Sequence, residues 1–148
     1  MFRGIAQLNL DTKGRLAVPS RHRETLLERC GGHLVITADA DRCLLIYPLP
    51  DWELIQQKLE SLSNLDSRVR ELQRRLIGFA VDVDIDSAGR ILISPELRAF
   101  AQLEKTVVLV GQGKKFELWN QERWEQLIDQ AGGLGAGGLP PELEGFSL

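Results

Sequence analysis

The chain has 148 residues, 43% of them hydrophobic and 26% charged, with a formal net charge of −3. This is the composition of a globular protein holding one ordinary domain, or two half-domains that share a core. No apolar run approaches the roughly 20 residues that a membrane-spanning helix needs, which sets aside that class.

The opening Met1-Phe2-Arg3-Gly4 lacks the apolar stretch of a signal peptide, and Cys30 and Cys43 are too few for a disulfide scaffold. The cytosol is the expected compartment, with both thiols reduced. Ala6, Leu8 and Leu10 then alternate with polar residues, the period-two pattern of a strand with one buried face. Asp11-Thr12-Lys13-Gly14-Arg15 has the chemistry of a tight turn: glycine accepts a positive φ, and an aspartate can take backbone N–H groups within the loop. A second short strand through Leu16 and Val18 leads to Pro19 and a short basic helix. Leu34-Val35-Ile36 and Cys43-Leu44-Leu45-Ile46-Tyr47 form an apolar hairpin, and Asp51-Trp52 opens a helix. A helical connector runs over residues 51–78. Trp52, Ile55, Leu59 and Leu62 mark one apolar face and Leu65, Val69, Leu72 and Leu76 another, with a break at Ser63-Asn64, a new start at Asp66 and a stop at Gly78.

The same order of elements then returns. Val81, Val83 and Ile85 alternate as the first strand did, and Asp86-Ser87-Ala88-Gly89-Arg90 follows 75 positions after its counterpart. Pro95 follows this second turn, one place later than Pro19 follows the first, and Ser94 is suited to cap a helix there. Val107-Val108-Leu109-Val110 and Phe116-Glu117-Leu118-Trp119 supply the second hairpin. Asn120 caps the last helix, with Trp119 and Trp124 placed as a hydrophobic staple. From Ala131 the chain turns rich in glycine and proline, as flexible tails are. The organisation is therefore repeat 1 at 5–52, a connector at 53–80, repeat 2 at 81–124, and the end of the last helix with a flexible tail at 125–148. A copy of about 50 residues struggles to bury a core alone. The expectation is a mainly β fold with helices (α+β), in which the two copies interleave about a pseudo-twofold axis and close one small barrel.

An Asp-x-x-Gly-Arg turn followed by an apolar strand, a proline and a short basic helix resembles the AbrB/SpoVT swapped-hairpin DNA-binding domain. Two tandem copies on a helical connector, after Met1-Phe2-Arg3-Gly4, resemble the MraZ family of bacterial regulators, over about residues 1–130. The resemblance implies a swapped-hairpin β-barrel within one chain and ring-like assembly of protomers. It implies sequence-specific binding to short direct repeats upstream of the family's own division and cell-wall operon, with no cofactor and no catalysis. The turn residues it marks are Asp11, Gly14 and Arg15, then Asp86, Gly89 and Arg90.

Charge agrees with a nucleic-acid reading only locally. Residues 1–30 hold six Lys/Arg (Arg3, Lys13, Arg15, Arg21, Arg23, Arg29) against three acids, and the remainder twelve against eighteen. Screening confines a surface field to about 8 Å at physiological salt, so a basic patch on an acidic body can still hold phosphates. Arg15 is the leading candidate, since a guanidinium fork matches guanine O6 and N7. Lys13 suits a phosphate, Arg3, Arg21 and Arg23 extend the patch if the first helix starts beside the turn, and Arg90 is the second-copy counterpart. A structural salt bridge to Asp11 is the competing account of Arg15. The second copy is expected to be the weaker reader, because Ala88 replaces Lys13 and Asp82 and Asp84 lie on its outward face.

Other constellations are weaker. Cys30, His33 and Cys43 offer three ligands at most, and a buried core cysteine explains Cys43 better than a metal does. Gly111-Gln112-Gly113-Lys114-Lys115 lacks Walker spacing and lies between strands, as a hairpin turn does. No serine or cysteine sits in a nucleophile context, so no enzyme, small-molecule substrate or metal is expected. The expected partners are double-stranded DNA and further copies of the chain, in a cytoplasmic, nucleoid-associated protein. An oligomeric partner-binding or antitoxin-like scaffold is the alternative, and a salt titration of DNA binding separates the two.

Overall fold

The computed structural model describes residues 1–130, 141–143, 145 and 146, so most of the expected flexible tail lies outside the described residues. The alternating opening forms β1 (Phe2–Asn9), and the turn after it leads to the short β2 (Arg15–Ala17). Helix α1 (Ser20–Cys30) packs on the hairpin of β3 (His33–Ala38) and β4 (Leu44–Pro48). The connector is α2 (Leu49–Ser61) and α3 (Ser67–Leu76). Helix α2 starts two residues before Asp51 because Pro50 sits in its first turn, where a missing N–H leaves no intrahelical bond unmade. The Asp66 carboxylate caps α3 by accepting the Arg68 backbone N–H at 2.8 Å.

The second copy repeats this series as β5 (Val81–Asp84), β6 (Arg90–Leu92), α4 (Pro95–Phe100), β7 (Thr106–Gly113), β8 (Phe116–Asn120) and α5 (Gln121–Gln130). Helices α1 and α4 begin at Ser20 and Pro95, which keep the offset of the turns. Proline is the N-cap of one helix and the first residue of the other, so its one-place shift moves nothing. Asn120 accepts the Arg123 N–H at 3.1 Å, and the Trp119 and Trp124 rings meet at 6.1 Å, as the cap and staple require.

The strands form one antiparallel sheet in the order β1-β7-β8-β4-β3-β5, with a separate ribbon of β2 and β6. Exchanging the two copies reverses this order and leaves it otherwise unchanged, which is the pseudo-twofold relation expected from the repeat. Register obeys it too: Leu8 faces Val107, its counterpart Val83 faces Leu34, and Leu45 faces Glu117 at the centre. Each copy's first strand therefore pairs with the other copy's hairpin. Leu16, Leu26, Ile91 and Leu97 pack with Ile36, Leu44, Leu109 and Leu118 in the main core. On the opposite face α2 and α3 cover Val35, Leu45 and Tyr47 with Trp52 and Leu59.

The expected mixture of strands and helices is present, but the closed barrel is not. Among the described residues strands β1 and β5 are the edges of the sheet, each paired on one side only. Strands β2 and β6 span three residues each and pair with one another, and the single bridge of Leu16 to Leu10 just beyond β1 does not merge this ribbon with the six-stranded sheet. Exposed Arg3 on β1 and exposed Asp82 and Asp84 on β5 oppose edge-to-edge pairing of further chains.

Because the sheet is shared, the copies should unfold together. Single-tryptophan variants retaining Trp52 or Trp119 should report one urea midpoint, whereas two midpoints would show that the copies fold separately. Leu16→Ala and Ile91→Ala, in side chains at 0% and 2% exposure, should each cost about 2–5 kcal/mol in that same titration.

Candidate nucleic-acid interface

The two turns are built alike, atom for atom. One Asp11 oxygen accepts the backbone N–H of Lys13 at 2.9 Å and of Arg15 at 2.8 Å, and the other accepts Arg15 Nε at 2.7 Å. Asp86 accepts the N–H groups of Ala88 and Arg90 at 2.9 Å, and Arg90 Nε at 3.1 Å. Gly14 donates to the Asp11 carbonyl at 3.0 Å, and Gly89 to that of Asp86 at 2.9 Å. Both glycines have positive φ, +83° and +78°, where a Cβ would be strained. The Arg15 backbone N–H, with the Arg15 side chain and the Lys13 N–H, holds the Asp11 carboxyl down at about 2 despite some desolvation. The Arg90 backbone N–H lowers Asp86 in the same way.

Each turn is also tied to the other copy. The Gly14 carbonyl accepts the Ile93 N–H at 2.9 Å, and the Gly89 carbonyl accepts the Val18 N–H at 2.9 Å. Between them lies the β2–β6 ribbon, in which Arg15 faces Leu92 and Ala17 faces Arg90. Directly paired residues share a face, so these four side chains point away from the buried pair Leu16 and Ile91. Arg15 and Arg90 are thus diagonal neighbours on one outward surface, with Cα atoms about 7–8 Å apart. Only Nε of each guanidinium is engaged by its aspartate, and among the described residues the terminal nitrogens of both have no partner. The salt bridge and an outward-facing fork coexist in one side chain, so they are not rival accounts of Arg15.

The remaining candidates are scattered. Lys13 is exposed on the first turn. Arg3 is exposed on β1 opposite Gln112, six residues and about 20 Å from the strand's turn end. Arg21 is exposed, donates to His22 Nε2 at 3.2 Å and lies over Gly4. Burial between Phe2 and Phe116, with Arg21 alongside, lowers the His22 pKa, which keeps the ring an acceptor. Arg23 donates through Nε to the Val18 carbonyl at 2.5 Å, and its guanidinium covers Gly89. The first helix therefore starts beside the second copy's turn, because the ribbon crosses over. Arg29 pairs with Asp51 at 2.9 Å. The residue that sequence reasoning missed is Arg98, which covers Gly14 as Arg23 covers Gly89. Its signal was available: Arg23 and Arg98 keep the offset of the turns.

Cysteine chemistry is not part of this surface. Cys43 is buried, and burial with Glu117, Asp39 and Asp41 nearby pushes its thiol up and keeps it protonated. Asp39, Cys43 and Glu117 have their ligand atoms within 4.8 Å of one another. Trp119 Nε1 occupies Glu117 at 3.0 Å, and the Asp41 N–H occupies Asp39 at 3.0 Å. Cys30 donates to the Leu26 carbonyl at 3.1 Å, and His33 faces Asp84 across the strand pair at 2.5 Å.

Two copies of one motif, sharing a sheet and presenting paired arginines on a crossed ribbon, define a tandem-repeat protein of swapped strands. Its sequence matches the family model described as "MraZ protein, putative antitoxin-like" over residues 1–75 and 76–134. The chain belongs to the MraZ family. It is 57% identical over 148 residues to a Transcriptional regulator MraZ of Nitrosomonas eutropha and 59% identical to that of Nitrosospira multiformis, with both chains fully covered in each case. The Pseudomonas aeruginosa protein of the same name is 51% identical over 151 aligned positions, again across all of both chains.

The lowered Asp11 pKa sets a pH dependence. A carboxyl near 3.9 in the unfolded chain and about 2 in the folded one contributes stability that is complete above pH about 4 and lost as pH falls toward 2. Asp11→Asn should remove that part of the acid slope in unfolding midpoints while lowering stability at neutral pH. An unchanged slope would show that the turn does not depend on the charged carboxylate.

Proposed function

We propose that this chain is a sequence-specific DNA-binding transcriptional regulator that represses its own division and cell-wall operon by binding short direct repeats in the promoter. The observation that carries this reading is the pair of guanidinium groups on the β2–β6 ribbon, each fixed through Nε and, among the described residues, free at its terminal nitrogens. A two-stranded ribbon fits the major groove, where such a fork matches guanine O6 and N7. The name shared by the relatives supports regulation of transcription. The exchange of first strands between copies supports the strand-swapped part of the AbrB/SpoVT resemblance.

In this reading Arg15 is the main base-reading residue and Arg90 its weaker partner. Lys13 contacts phosphate, and Arg3 and Arg21 add peripheral charge. Arg23, bound to Val18 and lying on Gly89, serves the interface by shaping the turn. Asp11, Gly14, Asp86 and Gly89 build the turns. Exposed Leu54, Leu62 and Leu65 on the connector and Leu127 and Ile128 on α5 support assembly of copies through two unlike faces, which closes a ring when the rotation allows. A ring would bring several ribbons to successive boxes and strengthen binding through effective concentration. The cytoplasm, in association with the nucleoid, is the matching location; no helix among the described residues is long and apolar enough to cross a membrane.

The test is fluorescence anisotropy on a duplex from immediately upstream of the coding sequence. Affinity should fall steeply with salt, and Arg15→Ala should abolish specific binding while Arg90→Ala weakens it less, at about 1–3 kcal/mol per lost bidentate contact. Equal losses in two folded variants would show both turns reading DNA alike, and absence of salt-dependent binding would favour a scaffold. Displacing one promoter box by half a helical turn (about 5 bp) should weaken binding if protomers act together. Light scattering should show several protomers per particle; a single 16.6 kDa species at micromolar concentration would overturn the ring.

A further inference from the structure

We infer that Arg98 is a positioning residue for the first turn and Arg23 for the second, so that each DNA-reading loop is held in shape by an arginine from the opposite copy. The inference rests on the DNA-binding reading above for its consequence, but its geometry stands apart from that reading.

A Cβ built on Gly14 would fall on the Arg98 guanidinium, 2.6 Å from Cζ, and one on Gly89 would fall on that of Arg23, 2.5 Å from Cζ. Each planar group therefore lies flat on a turn where only glycine leaves it room. Both glycines are buried in spite of sitting in loops, and the covering side chains are partly buried. Arg23 is anchored by its Nε bond to the Val18 carbonyl, and Val18 in turn donates to the Gly89 carbonyl. The clamp thus runs from Arg23 through Val18 to the second turn. On the other side Ile93 donates to the Gly14 carbonyl, and Arg98 follows Ile93 within the same copy. Neither Arg23 nor Arg98 makes an ion pair among the described residues. Their guanidinium groups are spent on shape, which a flexible lysine cannot match.

The pairing crosses between copies, and this makes the inference testable. Arg98→Ala should loosen the first turn and leave the second alone, and Arg23→Ala should do the reverse. Amide hydrogen exchange on the free chain reads this directly: the Gly14 N–H should exchange roughly five- to tenfold faster in Arg98→Ala, as expected from losing about one hydrogen bond of restraint, with Gly89 unchanged. Anisotropy on the upstream duplex reads the consequence. Arg98→Ala should weaken binding without changing the slope of affinity against salt, because no phosphate contact is lost. Its loss should add fully to that of Arg90→Ala, a background in which binding stays measurable and the first turn is untouched.

Arg98→Lys, which keeps the charge and stem, is run in parallel and must give the same pattern; it also decides the matter if the alanine variant does not fold. An unchanged Gly14 exchange rate in a folded variant overturns the inference. So does a salt slope reduced by about one, which would make Arg98 a phosphate contact. A loss that disappears in the Arg90→Ala background, which would tie Arg98 to the second turn, overturns it as well. If the unaltered chain fails to bind the duplex, the DNA reading falls, while the exchange measurement still decides whether the clamp exists.

Discussion

The pairing of each copy's first strand with the other copy's hairpin is the constraint on which the rest of this molecule depends. A copy of about 50 residues has too little interior to stand alone, and its first strand, alternating and half-buried, needs a neighbour on the sheet. Strand β1 finds it in β7 and β5 finds it in β3, so neither copy can complete its core without the other. The short strands β2 and β6 are then left over the inner face, where Leu16 and Ile91 are buried and the two segments pair with each other, with Leu16 also bridging back to Leu10.

That crossing decides where charge goes. The six basic residues of the first 30 do not form one patch on one copy. Lys13 and Arg15 stay with the first turn, Arg23 moves to the second, Arg21 covers the β1 backbone, and Arg29 is neutralised by Asp51. Arg98 from the more acidic second copy comes back to the first turn. The two loops consequently differ less in their surroundings than their own residues imply, although Lys13 still has no counterpart at Ala88.

The aspartate of each turn explains how one arginine can be both structural and available. Two backbone N–H groups and a guanidinium Nε converge on a carboxylate that stays charged to low pH. The bond fixes the direction of the guanidinium plane, and the two terminal nitrogens project beyond it. Order at the base of the side chain is what an interface of few contacts requires, since a freely rotating arginine would lose more entropy on binding.

Local features were readable from residues alone because their causes are local. The strand alternation, the Asx-type turns, the caps at Asp66, Ser94 and Asn120, and the tryptophan staple each depend on groups within a few positions of one another. The repeat offset likewise announced a pseudo-twofold relation. What the residues could not announce was which strand of one copy would lie against which of the other, since the period-two pattern is satisfied by any apolar neighbour. Only the tertiary structure left the sheet open where a barrel was expected, set Arg15 and Arg90 on one face, and placed Arg23 and Arg98 on each other's turns. Those outcomes follow from long-range hydrogen-bond register between segments some 75 residues apart, which no short spacing encodes.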